Sequence, residues 1–290
     1  MFLAFLRSLF TSRCTPTGNA ETAGPPLDEH PLVTGRDVLN ANVGTAGTPD
    51  TFAPSQDWNL GLWLSASFKA MHPGRVGGTI KPLCSVVHTT DMHPDDFDAL
   101  VKSWTSQPGA GNGAHFLIGR TADQGVIQFA SITRNANHAG GGASGHGYYR
   151  TRSGALVHPN TISVGIELHC AGRLYKDSSG RWRCGEYQAG KLVFSGSPLP
   201  LPDVHVDSNG HGWHMITEYQ RGMLLVLLAD LKACFPPGFN YTISPNGGYL
   251  ANGVPWASLA SAQVVGHVTL DPRNKTDPGP VVIALIKENF

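Results

Sequence analysis

Charge is scarce in this chain: only 14% of its 290 residues are Asp, Glu, Lys or Arg, and 21 basic and 21 acidic side chains cancel to a formal net charge of +0. Without an excess of either sign, long-range attraction to nucleic acid or to an acidic membrane surface is not expected. Cysteine is sparse as well. The five, Cys14, Cys84, Cys170, Cys184 and Cys234, show no C-x-x-C spacing, which argues against a structural zinc knuckle, and an odd number leaves one unpaired. Cys170 and Cys184 flank the start of a polar stretch and are placed to close a loop in an oxidising compartment, whereas Cys84 and Cys234 read as free buried thiols. No internal repeat is evident, and no apolar run reaches the roughly 20 residues that a membrane-spanning helix needs. The N-terminus, MFLAFLRSLF, is apolar but carries Arg7 in its middle, lacks a basic start and is followed by no small-residue cleavage pattern. A Sec-type signal peptide is therefore not expected.

What the chain does have is 41% hydrophobic residues together with 35 glycines and 21 prolines, enough length for one enzyme-sized core and many loops. Residues 11 to 60 are rich in Thr, Pro, Gly, Asn and Asp with little periodicity, so residues 1–80 read as an irregular arm and residues 81–290 as the globular domain. Within that domain, Phe97, Leu100, Val101 and Trp104 recur at helical spacing behind Pro94, predicting a helix over Asp95–Gln107. Thr217 and Gln220 form a T-x-x-Q capping box ahead of an apolar run that stops at Pro236 and Pro237. Strands near 83–88, 115–120, 126–130, 163–168 and 263–267 alternate with these helices, which predicts an α/β fold with a mixed central sheet flanked by helices. Residues 171–213 interpose a Gly- and Pro-marked polar insertion, read either as a hairpin flap beside a cleft or as surface decoration.

The segment GHVTLDPRNKTDPGP, Gly266 to Pro280, puts an imidazole, an ammonium and a carboxylate into one proline-stiffened stretch. His267 and Asp277 read as zinc ligands, and Lys275, two residues before Asp277, falls on the same side of an extended backbone. Zinc in hydrolytic sites takes about three protein ligands and keeps one position for water. His88, at the end of the apolar strand LCSVV and before Thr89 and Thr90, supplies the third. Glu167 sits among apolar neighbours in SVGIELHC, a setting in which a carboxylate demands a partner or a proton.

With these segments assembled, the chain resembles the zinc-dependent N-acetylmuramoyl-L-alanine amidases, the bacterial and phage branch of a superfamily that includes the peptidoglycan recognition proteins. The resemblance runs in order through VVHTT at Val86, AHFLIGR at Ala114, VIQ at Val126, NHAGG at Asn137, SVGIEL at Ser163, the helix from Thr217, and GH with KTDPGP, covering roughly residues 80 to 285. It implies one zinc ion held by His88, His267 and Asp277, with Glu167 as catalytic acid and base and Lys275 as stabiliser of the developing oxyanion. It also implies that His138 and Asn137 line the cleft and touch substrate, because a further histidine on the metal would close the position that water needs. Many relatives carry Arg directly before the motif's lysine; here Asn274 stands there and Arg273 one residue earlier.

The implied activity is hydrolysis of the amide between the lactyl group of N-acetylmuramic acid and L-alanine, in polymeric wall or in soluble muropeptides. The alternative within the superfamily is a module that binds the stem peptide without cutting it, and a metal-stabilised structural domain is a third reading. Since peptidoglycan lies outside the cytoplasm, three settings follow: recycling of imported muropeptides, a phage lysin, or an effector exported by a non-Sec route. The long arm favours the last two, and an immunity protein or secretion machinery would then be a partner.

Overall fold

The computed structural model describes residues 66–107, 113–139, 149–151, 153, 155–236, 242–243, 263–271 and 275–290, all within the second of two compact units, Arg36–Phe290. Its centre is a six-stranded mixed sheet in the order β1 (Ser67–Phe68), β5 (Val126–Gln128), β4 (Phe116–Ile118), β9 (Ser163–Leu168), β3 (Cys84–Thr89) and β16 (Val264–Gly266). Only the β4–β5 pair is antiparallel; β4, β9, β3 and β16 run parallel, as do β1 and β5. All six residues of both β3 and β9 are buried, which is the pattern of strands covered on two faces. The five strands expected from sequence are all present. β1 pairs with β5, and β2 (Val76–Thr79) pairs with β6 (Arg134–Ala136), so the folded body extends upstream of residue 81.

Helix α1 (Phe97–Ser106) buries the four residues whose spacing predicts it, Phe97, Leu100, Val101 and Trp104. They pack with Leu117, Ile127 and Phe129 in one core cluster. Helix α2 (Glu218–Cys234) opens with the expected capping box: Thr217 Oγ1 accepts from Gln220 N, and Gln220 Oε1 accepts from Thr217 N, each at 3.1 Å. Gln220 is itself buried, and its amide Nε2 donates to the carbonyls of Ile118 and His169 at the ends of β4 and β9. The cap therefore fastens the helix to the sheet as well as starting it. Two further helices, α3 (His267–Leu270) and α4 (Pro280–Asn289), bracket the C-terminal loop. A three-stranded sheet, β15 (Thr242–Ile243), β7 (Tyr149–Arg150) and β8 (Leu156–Val157), completes that region. Among the described residues no helix is long and apolar enough to cross a membrane.

The insertion is a second sheet. Its strands run antiparallel in the order β12 (Lys191–Ser195), β11 (Trp182–Gln188), β10 (Arg173–Lys176), β14 (Gly212–His214) and β13 (Val204–Val206). The β11–β12 hairpin turns on Ala189 and Gly190, both at positive φ (48° and 78°), the pattern of a type I′ turn that matches strand twist. Ala171, Leu174, Trp182, Cys184 and Leu199 give the insertion its own small core. Cys170 and Cys184 are free thiols, as are Cys84 and Cys234; Cys170 Sγ donates to His214 O and Cys184 Sγ to Asp91 O.

Candidate metal centre

His88 and Glu167 are register partners on adjacent parallel strands, so alternation sends both side chains to the same face of the sheet. On the other side of β3, β16 ends at Gly266 opposite Val87, and the chain turns at once into His267. Gly266 is required by close approach: a Cβ there would lie 2.4 Å from Ile283 Cδ1 and 2.7 Å from Pro278 Cδ. That contact seats the Asp277 loop against the strand end, where Asp277 O accepts from Val268 N at 2.7 Å and the Asp277–Pro278 peptide is cis. Three separate segments thus deliver one side chain each to a common point.

There the ligand atoms form a nearly equilateral triangle. His88 Nδ1 lies 3.0 Å from His267 Nδ1 and 3.1 Å from Asp277 Oδ2, and His267 Nδ1 lies 3.1 Å from the same Oδ2. All three residues are buried. Hydrogen bonding cannot satisfy such a triangle: with both Nδ1 atoms protonated their N–H groups face each other, and with only one protonated the bare Nδ1 faces the Asp277 carboxylate lone pair to lone pair. A cation among the three atoms resolves the conflict. Ligands about 2.0–2.1 Å from a tetrahedral zinc sit roughly 3.3 Å apart, so this donor set fits that ion in chemistry and in spacing.

The electrostatics agree. Burial, then the neighbouring His267, lowers His88 to about 4 against the opposing pull of Asp277, leaving the neutral imidazole that a metal ligand must be. Burial alone would raise Asp277, but His267 and His88 outweigh it and hold the carboxyl far below the usual range. For Glu167, burial followed by the charges of Asp277 and Asp91 pushes the carboxyl well up, with Lys275 opposing. Its Oε2 is buried without a hydrogen-bond partner among the described residues, a costly state unless a ligand or solvent engages it. Lys275 is half-buried, and its charge is felt at His88, Asp91 and Glu167. His88, His267 and Asp277 therefore meet as a triad, with the charge of Asp277 felt at Glu167 and that of Lys275 at both His88 and Glu167.

His138 departs from expectation. Instead of lining a cleft it is 4% exposed and lies behind His88, its Nδ1 3.0 Å from His88 Nε2. The cause is Gly165, whose missing Cβ would stand 2.3 Å from His138 Cγ; the ring fills the space above that glycine. Asn137 is exposed, with its carbonyl bonded to Gly113 N. Asn274 and Arg273 lie outside the described residues.

Asp91 is the residue that sequence reasoning passed over. Its side chain keeps exposed surface and accepts from Thr89 Oγ1 at 3.0 Å, while burial by surrounding protein, then Asp277, raises its carboxyl to about 7. The only sequence signal is its position three residues after His88.

The insertion's aromatics divide between buried and exposed positions. Trp182 and Trp213 are each only 9% exposed. Trp213 stacks on Gly279, two residues past Asp277, where an added Cβ would come within 2.8 Å of its ring, and its Nε1 donates to Asp207 Oδ2 at 3.0 Å. Tyr187, by contrast, is 65% exposed. Trp213 thus props the loop that carries Asp277. Trp213→Ala should cost about 3 kcal/mol of stability, the lower end for removing a buried aromatic, read as a lower urea midpoint at unchanged m-value. An unaltered midpoint would show that the stacking does not support the loop.

The N-acetylmuramoyl-L-alanine amidase family model, Amidase_2, matches residues 79–280. No curated protein sequence matches the chain. Among solved structures, a selenomethionine derivative of AmpD is 20% identical, with 77% of this chain and 93% of that chain covered and a TM-score of 0.39. AmiD from E. coli, in complex with anhydro-N-acetylmuramic acid-L-Ala-D-gamma-Glu-L-Lys, is 21% identical over 73% of this chain and 58% of its own, with a TM-score of 0.40. AmpDH3 from Pseudomonas aeruginosa is 20% identical over 73% and 60%, also at 0.40; the chain thus spans less than two thirds of these last two. With a family match running from before β3 to beyond Asp277, the chain belongs to the N-acetylmuramoyl-L-alanine amidase family.

Proposed function

We propose that this protein hydrolyses the amide between the lactyl group of N-acetylmuramic acid and L-alanine in peptidoglycan or its muropeptides, with one zinc ion held by His88, His267 and Asp277. The observation that carries the reading is the buried triangle of Nδ1, Nδ1 and Oδ2 atoms 3.0–3.1 Å apart, set beside Glu167, whose Oε2 has no hydrogen-bond partner among the described residues. When bound, zinc supplies a Lewis acid that polarises an amide carbonyl and acidifies water. Glu167, partnered in register with His88, takes the proton from the attacking water as its oxygen bonds to the carbonyl carbon. It then returns that proton to the departing nitrogen as the C–N bond breaks, so one carboxyl serves both half-reactions. Lys275 places a positive charge near the oxygen on which negative charge develops. The chemistry is assigned to residues 81–290.

The test is mass analysis of sacculi and of purified muropeptides digested with the zinc-loaded protein. The expected products are stem peptides with a free L-alanine amine and glycan with free lactyl carboxyl groups, each cut adding one water. Retention on sacculi with no such products would overturn the reading in favour of a binding module.

A further inference from the structure

Behind His88 runs a chain of four polar groups whose donor order the geometry fixes. Ser163 Oγ donates to Pro159 O at 2.7 Å. A serine has one proton, so with it committed the same oxygen must accept from His138 Nε2, 3.1 Å away. His138 then carries its proton on Nε2 and presents a lone pair at Nδ1. That lone pair faces His88 Nε2 at 3.0 Å, so His88 in turn is protonated on Nε2 and left with a bare Nδ1, the atom that meets His267 and Asp277.

We propose that His138 and Ser163 form a tautomer-setting relay that holds the His88 lone pair on Nδ1, making His138 a positioning residue of the metal centre. The proposal rests on the zinc reading above. The opposite proton order would need Ser163 to abandon Pro159 and would put a proton on His88 Nδ1, blocking coordination. Each member of the relay is buried, with Ser163 at 0%, His88 at 2% and His138 at 4% exposure, so water cannot readily substitute. The strand register explains the placement. Ser163, Gly165 and Glu167 alternate along one face of β9; the serine anchors the relay, the glycine makes room for the ring, and the glutamate stands beside His88. His115, whose ring is 5.8 Å from that of His138, is bound elsewhere: its Nδ1 accepts from Gly165 N and its Nε2 donates to Arg134 O. It therefore does not compete for the His138 nitrogens.

The experiment combines zinc competition against a chromophoric chelator with imidazole 15N–1H NMR of the zinc-loaded protein. In the wild type, the His88 Nε2 proton should appear as a slowly exchanging downfield signal. In His138→Leu that signal should be lost and the zinc dissociation constant should rise about 10- to 100-fold, the usual effect of removing a partner behind a ligating histidine. His138→Asn should recover most of both, because the amide Oδ1 stands near where Nδ1 stood and accepts the same proton. A general packing defect would give no such rescue. Ser163→Ala, a smaller change, tests the relay should His138→Leu fail to fold: it should weaken zinc binding and shift the His138 resonances. Wild-type zinc affinity in folded His138→Leu or Ser163→Ala, or a zinc-loaded wild type without a proton on His88 Nε2, overturns the relay while leaving the metal site intact. A wild type that takes up no zinc overturns the metal reading itself.

Discussion

Glu167→Gln should leave zinc content and fold unchanged and lower turnover on muropeptides by about 100-fold or more, the contribution typical of a positioned general acid and base. The substitution is close to isosteric, and burial favours the neutral amide over a carboxylate whose Oε2 lacks a hydrogen-bond partner among the described residues, so stability should hold or rise slightly. What is lost is the ability to take a proton and give it back. Because the effect falls on the reaction and not on binding, kcat should drop while KM changes little. The measurement is steady-state release of the stem peptide, with zinc determined on the same preparation. Near-normal turnover in a zinc-replete variant would remove Glu167 from the mechanism and direct attention to Asp91, the other carboxylate with a raised pKa in the same electrostatic neighbourhood.

The face that carries His88 and Glu167 was legible because its signals are local. Buried apolar runs announced β3 and β9, an ionisable residue near the end of each announced His88 and Glu167, and the capping box at Thr217 marked the start of α2. The position of His138 could not be read in the same way. Its depth is set by the space above Gly165 on a strand reached through a separate segment, and its role by the proton of Ser163, neither of which has a sequence period. The insertion was only partly legible, for a different reason. Much of β11 and β12 is exposed or half-buried, so their polar composition left a hairpin and surface decoration both open, and the local clue to the hairpin is the two-residue Ala189–Gly190 turn. Trp213 and Gly279 meet only in the folded state.

His88→Ala should abolish stoichiometric zinc binding and, with it, essentially all hydrolysis. Removing one of three ligands leaves His267 and Asp277, whose Nδ1 and Oδ2 are 3.1 Å apart and can then share a proton directly, a stable alternative that competes with metal. The relay through His138 loses its recipient at the same time. Without the Lewis acid the reaction forfeits several kcal/mol of stabilisation of developing charge; a loss of about 4 kcal/mol already corresponds to nearly a thousandfold in rate. The check is metal analysis after gel filtration together with activity at saturating added zinc. Saturating zinc should not restore the rate, because an alanine methyl cannot complete the ligand set, whereas a variant that merely weakened the site would recover. Asp277→Asn provides the contrast. An amide oxygen can still coordinate but carries no charge, so zinc affinity should fall while added metal restores part of the activity. Full zinc occupancy in His88→Ala would show that the triangle of His88, His267 and Asp277 is not the ligand set, whatever its spacing.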